Sequence, residues 1–200
     1  MRRLCFGGSF NPIHHGHLIG ARAVAEAAGF DQVILIPSAL PPHKLGASAM
    51  APAEHRLAMC RLAVEGDPVF EVDDLELTRK GPSYTIDTAR QLRARGSQEV
   101  HWLIGADTVP LLPEWHEPDA LLNEVSFVVM ARPGHEIQWE KLPPALRTLR
   151  SNVVSAPLID IRATELRRRV AAGQSIRYLT PPPVCDYIAA RGLYRDPSNA

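Results

Sequence analysis

Two imidazoles three positions apart, His14 and His17, sit in the string Gly7-Gly8-Ser9-Phe10-Asn11-Pro12-Ile13-His14-His15-Gly16-His17-Leu18. Imidazole N–H groups at that spacing can donate hydrogen bonds to phosphate oxygens, and Gly16 between them lets the chain come close. The same spacing suits a pair of metal ligands, but a catalytic metal site needs a third ligand, and no acidic residue lies nearby in sequence. Gly7 and Gly8 withdraw side chains where a ligand would meet the backbone. The helix that follows brings free N–H groups and a positive dipole end to the same spot. Together these features describe a place to hold, and act on, an anion.

Four other groupings carry chemistry. Pro41-Pro42-His43-Lys44 is a stiffened loop ending in positive charge, read either as a phosphate contact or as an exposed basic loop. Ser83-Tyr84-Thr85-Ile86-Asp87-Thr88 opens a helix, with Ser83 or Thr85 as its cap and Asp87 near its positive end. Gly105-Ala106-Asp107 ends a strand; the carboxylate there can accept hydrogen bonds from ribose hydroxyls, or simply cap the next helix. Ile161-Arg162-Ala163-Thr164-Glu165-Leu166-Arg167 combines a hydroxyl, a helix start and the fork of donors that guanidinium offers a phosphate. Arg162 is either a further phosphate contact or an outward charge. Arg168 and Arg169 read as solvated surface. Trp115 suits ring stacking or packing, and Arg132, after the fifth strand, is within reach of a nucleotide.

These residues fall at the ends of alternating strands and helices. Apolar runs over 3–6, 32–37, 100–104 and 126–130 predict short strands buried on both faces, and 69–77 and 152–159 two more. Helices are expected over 18–28 (stopped by Gly29), 52–64 (with Leu57, Cys60 and Val64 on one face), 83–95, 164–172 and 184–191. Pro181-Pro182-Pro183 separates the last two. Such alternation predicts an α/β fold, a Rossmann-like doubly wound parallel sheet with a C-terminal helical extension.

Composition narrows the class. Lys+Arg and Asp+Glu both number 22, which gives no basic footprint for nucleic acid. Cys5, Cys60 and Cys185 are far apart and lack metal or disulfide spacing, so reduced thiols in a cytoplasmic protein are expected. The apolar stretch before Gly7 is too short for a signal peptide, and no run approaches the ~20 residues that span a bilayer.

The string from Gly7 to Leu18 resembles the HxGH signature of the nucleotidyltransferase superfamily, in the form found in bacterial nicotinate-nucleotide adenylyltransferases. The resemblance runs across nearly the whole chain, through Pro41–Lys44, 83–88, 105–107 with Trp115, and 183–194. It implies a single nucleotidyltransferase domain over 1–195 with a flexible tail over 196–200. It also implies transfer of AMP from ATP to nicotinate mononucleotide, giving deamido-NAD and pyrophosphate for NAD biosynthesis.

By the resemblance, His14, His17, Lys44 and Arg167 are the catalytic residues. ATP falls to Gly7, Gly8, Ser9, Phe10, His14, His17, Gly105, Asp107, Ile161, Thr164 and Arg167. Nicotinate mononucleotide falls to His43, Lys44, Tyr84, Thr85, Trp115 and Arg132, with the nicotinate carboxylate read near Thr85 and the pyridine stacked on Trp115. Mg2+ accompanies ATP, held mostly by phosphates and water, with no metal site built from side chains. The partners implied are these two small molecules, without nucleic acid or membrane; a homo-oligomer is left open. One departure stands out: where the family has Ile-Ser-Ser-Thr-x-Ile-Arg, this chain has Arg162 and Ala163 in place of the two serines. Phosphopantetheine and cytidylyl transferases share the HxGH core, and a nucleotide-binding sensor that kept the site without catalysis is a further reading.

Overall fold

In the computed structural model, which describes residues 1–41, 50–131 and 136–195, a six-stranded all-parallel sheet has the order β3-β2-β1-β4-β5-β6. The strands are β1 (Arg3–Gly8), β2 (Gln32–Pro37), β3 (Phe70–Val72), β4 (His101–Gly105), β5 (Ser126–Met130) and β6 (Val153–Val154). This is the doubly wound order, in which the chain leaves β1 toward one edge and returns to β4 to build the other.

Why the strands are apolar throughout is visible in the core. Consecutive side chains point to opposite faces. Leu4, Val33, Leu35, Leu103 and Val128 enter one layer; Cys5, Ile34, Ile36, Ile104 and Val129 enter the other. Helices α1 (His15–Ala27), α2 (Ala53–Ala63), α6 (Ala163–Ala171) and α7 (Pro182–Ala190) cover the first face. Helices α3 (Thr85–Ala94), α4 (Pro118–Glu124) and α5 (Pro144–Arg147) cover the second.

Several boundaries differ from the sequence reading. β1 runs two residues further, through both glycines, and α1 begins at His15, with His14 as its N-cap. α2 buries Arg56, Met59 and Cys60, while Leu57 and Val64 are only half-buried. β3 and β6 are far shorter than the 69–77 and 152–159 runs, because both are edge strands that pair on one side only. Pro182 and Pro183 are not a separator but the first turn of α7, where a missing N–H costs nothing. A long 3₁₀ segment, Ala106–Glu114, follows β4; its internal Pro110 and Pro113 obscured it in the sequence. Cys5 and Cys60 are buried, Cys185 is half-buried, and all three are free thiols.

The switch point opens the site. β1 pairs with β2 all the way to Gly8 opposite Pro37, but with β4 only at Leu4–His101 and Cys5–Trp102. Past that point the two central strands part, and the Trp102 ring lies against Gly7. A Cβ on Gly7 would sit 2.3 Å from Trp102 Cζ2. The glycine therefore serves packing as well as ligand access. Gly7→Ala is expected to cost about 1–3 kcal/mol by overpacking a rigid buried ring; thermal denaturation of the variant would show it, and an unchanged melting temperature would mean the ring shifts freely.

Candidate active site

His14 and His17 stack with centroids 3.6 Å apart and planes inclined by 24° at the N-terminus of α1. The His14 backbone N–H donates to His17 Nδ1 at 3.3 Å. With Nδ1 used as an acceptor, the neutral imidazole of His17 carries its proton on Nε2, ready to donate. His14 is 5 % exposed, whereas His17 is half-buried. Gly16 lies under this stack, since a Cβ there would come within 3.0 Å of His14 Nδ1. Phe10 holds a left-handed φ of 43°, a conformation a non-glycine residue keeps only when its surroundings force it. Its buried ring supplies that force, packing edge-on against Phe6 at 5.5 Å and His17 at 5.2 Å.

The loop between β1 and α1 is held from three directions by residues that the sequence reading missed. Arg56 is 1 % exposed. Its guanidinium donates to the carbonyls of Ser9 at 2.8 Å, Ala51 at 3.0 Å and Ala39 at 3.1 Å. Tyr194 donates its hydroxyl to Asn11 Oδ1 at 2.7 Å, and Ala51 donates its N–H to the same oxygen at 3.0 Å. Thr180 donates to the Ile13 carbonyl at 2.7 Å. A buried Arg in an ordinary amphipathic helix carries no motif, so Arg56 left no signal beyond its break in the apolar face. Tyr194 closed a stretch that was recognised only as a match.

Arg167 is the residue of its segment that reaches this loop, donating to the Asn11 carbonyl at 2.8 Å. Thr164 is exposed on the first turn of α6, and Ile161 packs half-buried beside the α1 layer. Arg162 turns outward and pairs with Asp160 at 3.2 Å, so of its two readings the structure favours the outward charge. At the end of β4, Gly105 is the cap of the 3₁₀ segment and Asp107 lies in its first turn, exposed; a Cβ on Gly105 would meet Asp107 Oδ1 at 2.5 Å. His43, Lys44 and Arg132 lie outside the described residues.

At the start of the same loop, a 240 Å³ cavity opens between the parted strands. Gly7, Gly8 and Ser9 form one wall; Tyr84, Thr85 and Trp115 form another. Trp115 sets its edge against Phe127 at 6.4 Å. Tyr84 stacks on His116 at 4.1 Å, a partner that the sequence reading passed over. Ser83 does not cap α3; Tyr84 does, by position. The Ser83 hydroxyl instead accepts N–H bonds from Ala39 at 2.9 Å and Leu40 at 3.3 Å, tying the loop after β2 to the start of α3. The N-terminus of α3 thus bounds the crevice, while the N-terminus of α1 lies at the far end of the loop whose glycines wall it; each helix end offers free N–H groups to an anion.

A family model described as cytidylyltransferase-like matches residues 5–169. The probable nicotinate-nucleotide adenylyltransferase of Roseiflexus sp. (strain RS-1) is 44 % identical over 191 residues, covering 94 % of this chain and 96 % of that one. This chain belongs to the nicotinate-nucleotide adenylyltransferase family. The probable member from Geobacillus kaustophilus (strain HTA426) is 43 % identical over 190 residues, covering 94 % of this chain and 84 % of its own. Among solved structures, the fold is similar to the Plasmodium falciparum nicotinic acid mononucleotide adenylyltransferase complexed with NaAD, at a TM-score of 0.77 and 17 % identity over 97 % of this chain and 98 % of that one.

Proposed function

We infer that this member of the family transfers the adenylyl group of ATP to nicotinate mononucleotide, giving deamido-NAD and pyrophosphate. The observation that carries the reading is the β1–α1 loop, whose start at Gly7, Gly8 and Ser9 walls an aromatic cavity ending at the N-terminus of α3 and whose end carries the His14–His17 stack. One site suits phosphates; the other suits a flat ring bearing a carboxylate. A phosphate oxygen of the mononucleotide attacks the α-phosphorus of ATP in line, and the bond from that phosphorus to its bridging oxygen breaks as pyrophosphate leaves. The nucleophile is already anionic, so no covalent enzyme intermediate is needed. Positioning and neutralisation of developing charge do the catalysis.

In this account His17 donates from Nε2 to the ATP phosphates, and His14 shares the task from the helix cap. Arg167, placed by the Asn11 carbonyl, offers its remaining donors, and Lys44 adds charge from its loop. Gly7, Gly8, Ser9, Phe10, Gly105, Asp107, Ile161 and Thr164 complete the ATP side. His43, Arg132, Tyr84, Thr85 and Trp115 serve the mononucleotide, with the carboxylate on the N–H groups that open α3. Among the described residues no cluster of three or more His, Cys, Asp or Glu gathers to hold a metal. In this reading Mg2+ enters with ATP as a Mg·ATP substrate, held mostly by phosphates and water. No described helix is long and apolar enough to cross a membrane.

The test is formation of deamido-NAD and pyrophosphate in equal amounts from ATP and nicotinate mononucleotide. An internal check comes from Trp115→Ala. Losing one stacking face costs about 1–3 kcal/mol. The variant is expected to raise the KM for the mononucleotide roughly tenfold or more, with the KM for ATP little changed. Equal rises in both constants would place Trp115 in the scaffold instead.

A further inference from the structure

The cavity wall contains a carboxyl group that the proposed reaction does not use. Glu76 is 4 % exposed and lines the cavity together with Ser83, Tyr84 and Thr85. Thr88, fully buried, donates its hydroxyl to Glu76 Oε1 at 2.7 Å. The Ser83 hydroxyl, already accepting two backbone N–H bonds, also hydrogen-bonds the Glu76 side chain. An acid buried beside the place assigned to an anionic carboxylate is a conflict: two carboxylates in one low-dielectric pocket repel strongly.

We propose that Glu76 is a specificity-determining residue, a buried carboxyl that disfavours an acidic ring when ionised and admits it when protonated. The inference rests on the cavity being the nicotinate pocket. The hydrogen-bond network can serve both forms. Ionised, Glu76 accepts from Thr88 and Ser83. Protonated, it donates to Thr88 Oγ1, whose own proton can turn to the Tyr84 carbonyl at 3.2 Å. That carbonyl belongs to the cap of α3, so the proton position is felt where the substrate carboxylate docks. Burial pushes the Glu76 carboxyl above its ordinary range, against the opposing pull of the Thr88 and Ser83 hydroxyls and of Arg79 and Arg56. Arg79 faces the network from the segment before α3, donating to Thr88 Oγ1 at 3.3 Å. Arg56 faces it from α2, and Glu114 and His116 line the cavity but are solvent-exposed. A bound nicotinate carboxylate raises the Glu76 affinity for a proton further, so binding takes up a proton from solvent. The amide form of the substrate makes no such demand.

The experiment compares wild type with Glu76→Gln, a permanently neutral isostere, in kcat/KM for nicotinate mononucleotide. The substrate phosphate titrates identically with both enzymes, so it cancels in their ratio. As rising pH ionises Glu76, the wild type is expected to fall about tenfold relative to Glu76→Gln across a pH series. Thr88→Val removes a donor to the ionised form and is expected to move the wild-type midpoint to higher pH. It stands as the second variant should Glu76→Gln fold poorly. Calorimetry of nicotinate mononucleotide binding in buffers of different ionisation heat is expected to show proton uptake by wild type and none by Glu76→Gln. Wild-type turnover with parallel pH profiles in the two enzymes would overturn the inference while leaving the proposed function standing. Absence of any turnover of nicotinate mononucleotide by wild type would overturn both.

Discussion

Replacing His17 by alanine is expected to lower kcat by about two to three orders of magnitude, the loss typical of one preorganised donor to transition-state charge. The side chain is half-buried, and the hydrogen bond it accepts from the His14 N–H is long at 3.3 Å. Removing it costs the fold roughly what a weak cap costs, about 1 kcal/mol or less. Activity should therefore collapse in a protein with a near-normal melting temperature. Pyrophosphate release measured alongside circular dichroism separates the two effects. Wild-type turnover by folded His17→Ala would remove the α1 N-terminus from the chemistry. His14 is a poorer probe, because it is 5 % exposed and caps the helix, so its loss mixes catalysis with folding.

The second large effect is expected at Arg56, away from the reacting atoms. Arg56→Ala leaves the carbonyls of Ser9, Ala39 and Ala51 without their shared donor. An unpaired acceptor costs about 1–3 kcal/mol when buried, as at Ala51, and less at the half-buried Ser9 and Ala39, so a total of roughly 3–5 kcal/mol is expected. For a chain of this size that lowers the melting temperature by roughly 10 °C. Arg56→Lys keeps the charge but has no planar fork to span three carbonyls, and is expected to fall between wild type and alanine. The three carbonyls lie on the β1–α1 loop and on the connection between β2 and α2. Catalytic efficiency should drop with stability in both variants, most in alanine. A melting temperature unchanged in Arg56→Ala would show that water or neighbouring donors replace the guanidinium without loss.

Much of the fold was legible because it rests on patterns that local physics enforces. The runs at 32–37 and 126–130 matched β2 and β5 to the residue, since a central parallel strand needs apolar side chains on both faces. Edge strands lack that requirement, which is why Phe70–Val72 and Val153–Val154 are much shorter than their apolar surroundings. Ser83 shows a different limit. Its position beside a helix start made it a natural cap, yet its hydroxyl is engaged with Ala39 and Leu40, more than forty residues away in the chain, and no local rule reports such a contact.

The site divides in the same way. His14, His17 and the glycines between β1 and α1 were readable because their chemistry is concentrated in one string. Arg56, Glu76, Tyr194 and Thr180 were not, because each acts through a long-range contact from an element that looks ordinary in isolation. Arg56 and Tyr194 hold the signature loop from α2 and from the end of the chain. The C-terminal segment is thus more than an extension of the domain. It is tied to the loop that carries the histidines, at Asn11 through Tyr194 and at Ile13 through Thr180.

The most direct test of the account is pyrophosphate release from Mg·ATP with nicotinate mononucleotide and nicotinamide mononucleotide run side by side on the wild-type protein. The account predicts rapid release with the nicotinate form and much slower release with the nicotinamide form, because the N–H groups at the start of α3 select a carboxylate. No release with either substrate, from protein that still binds ATP, would contradict it.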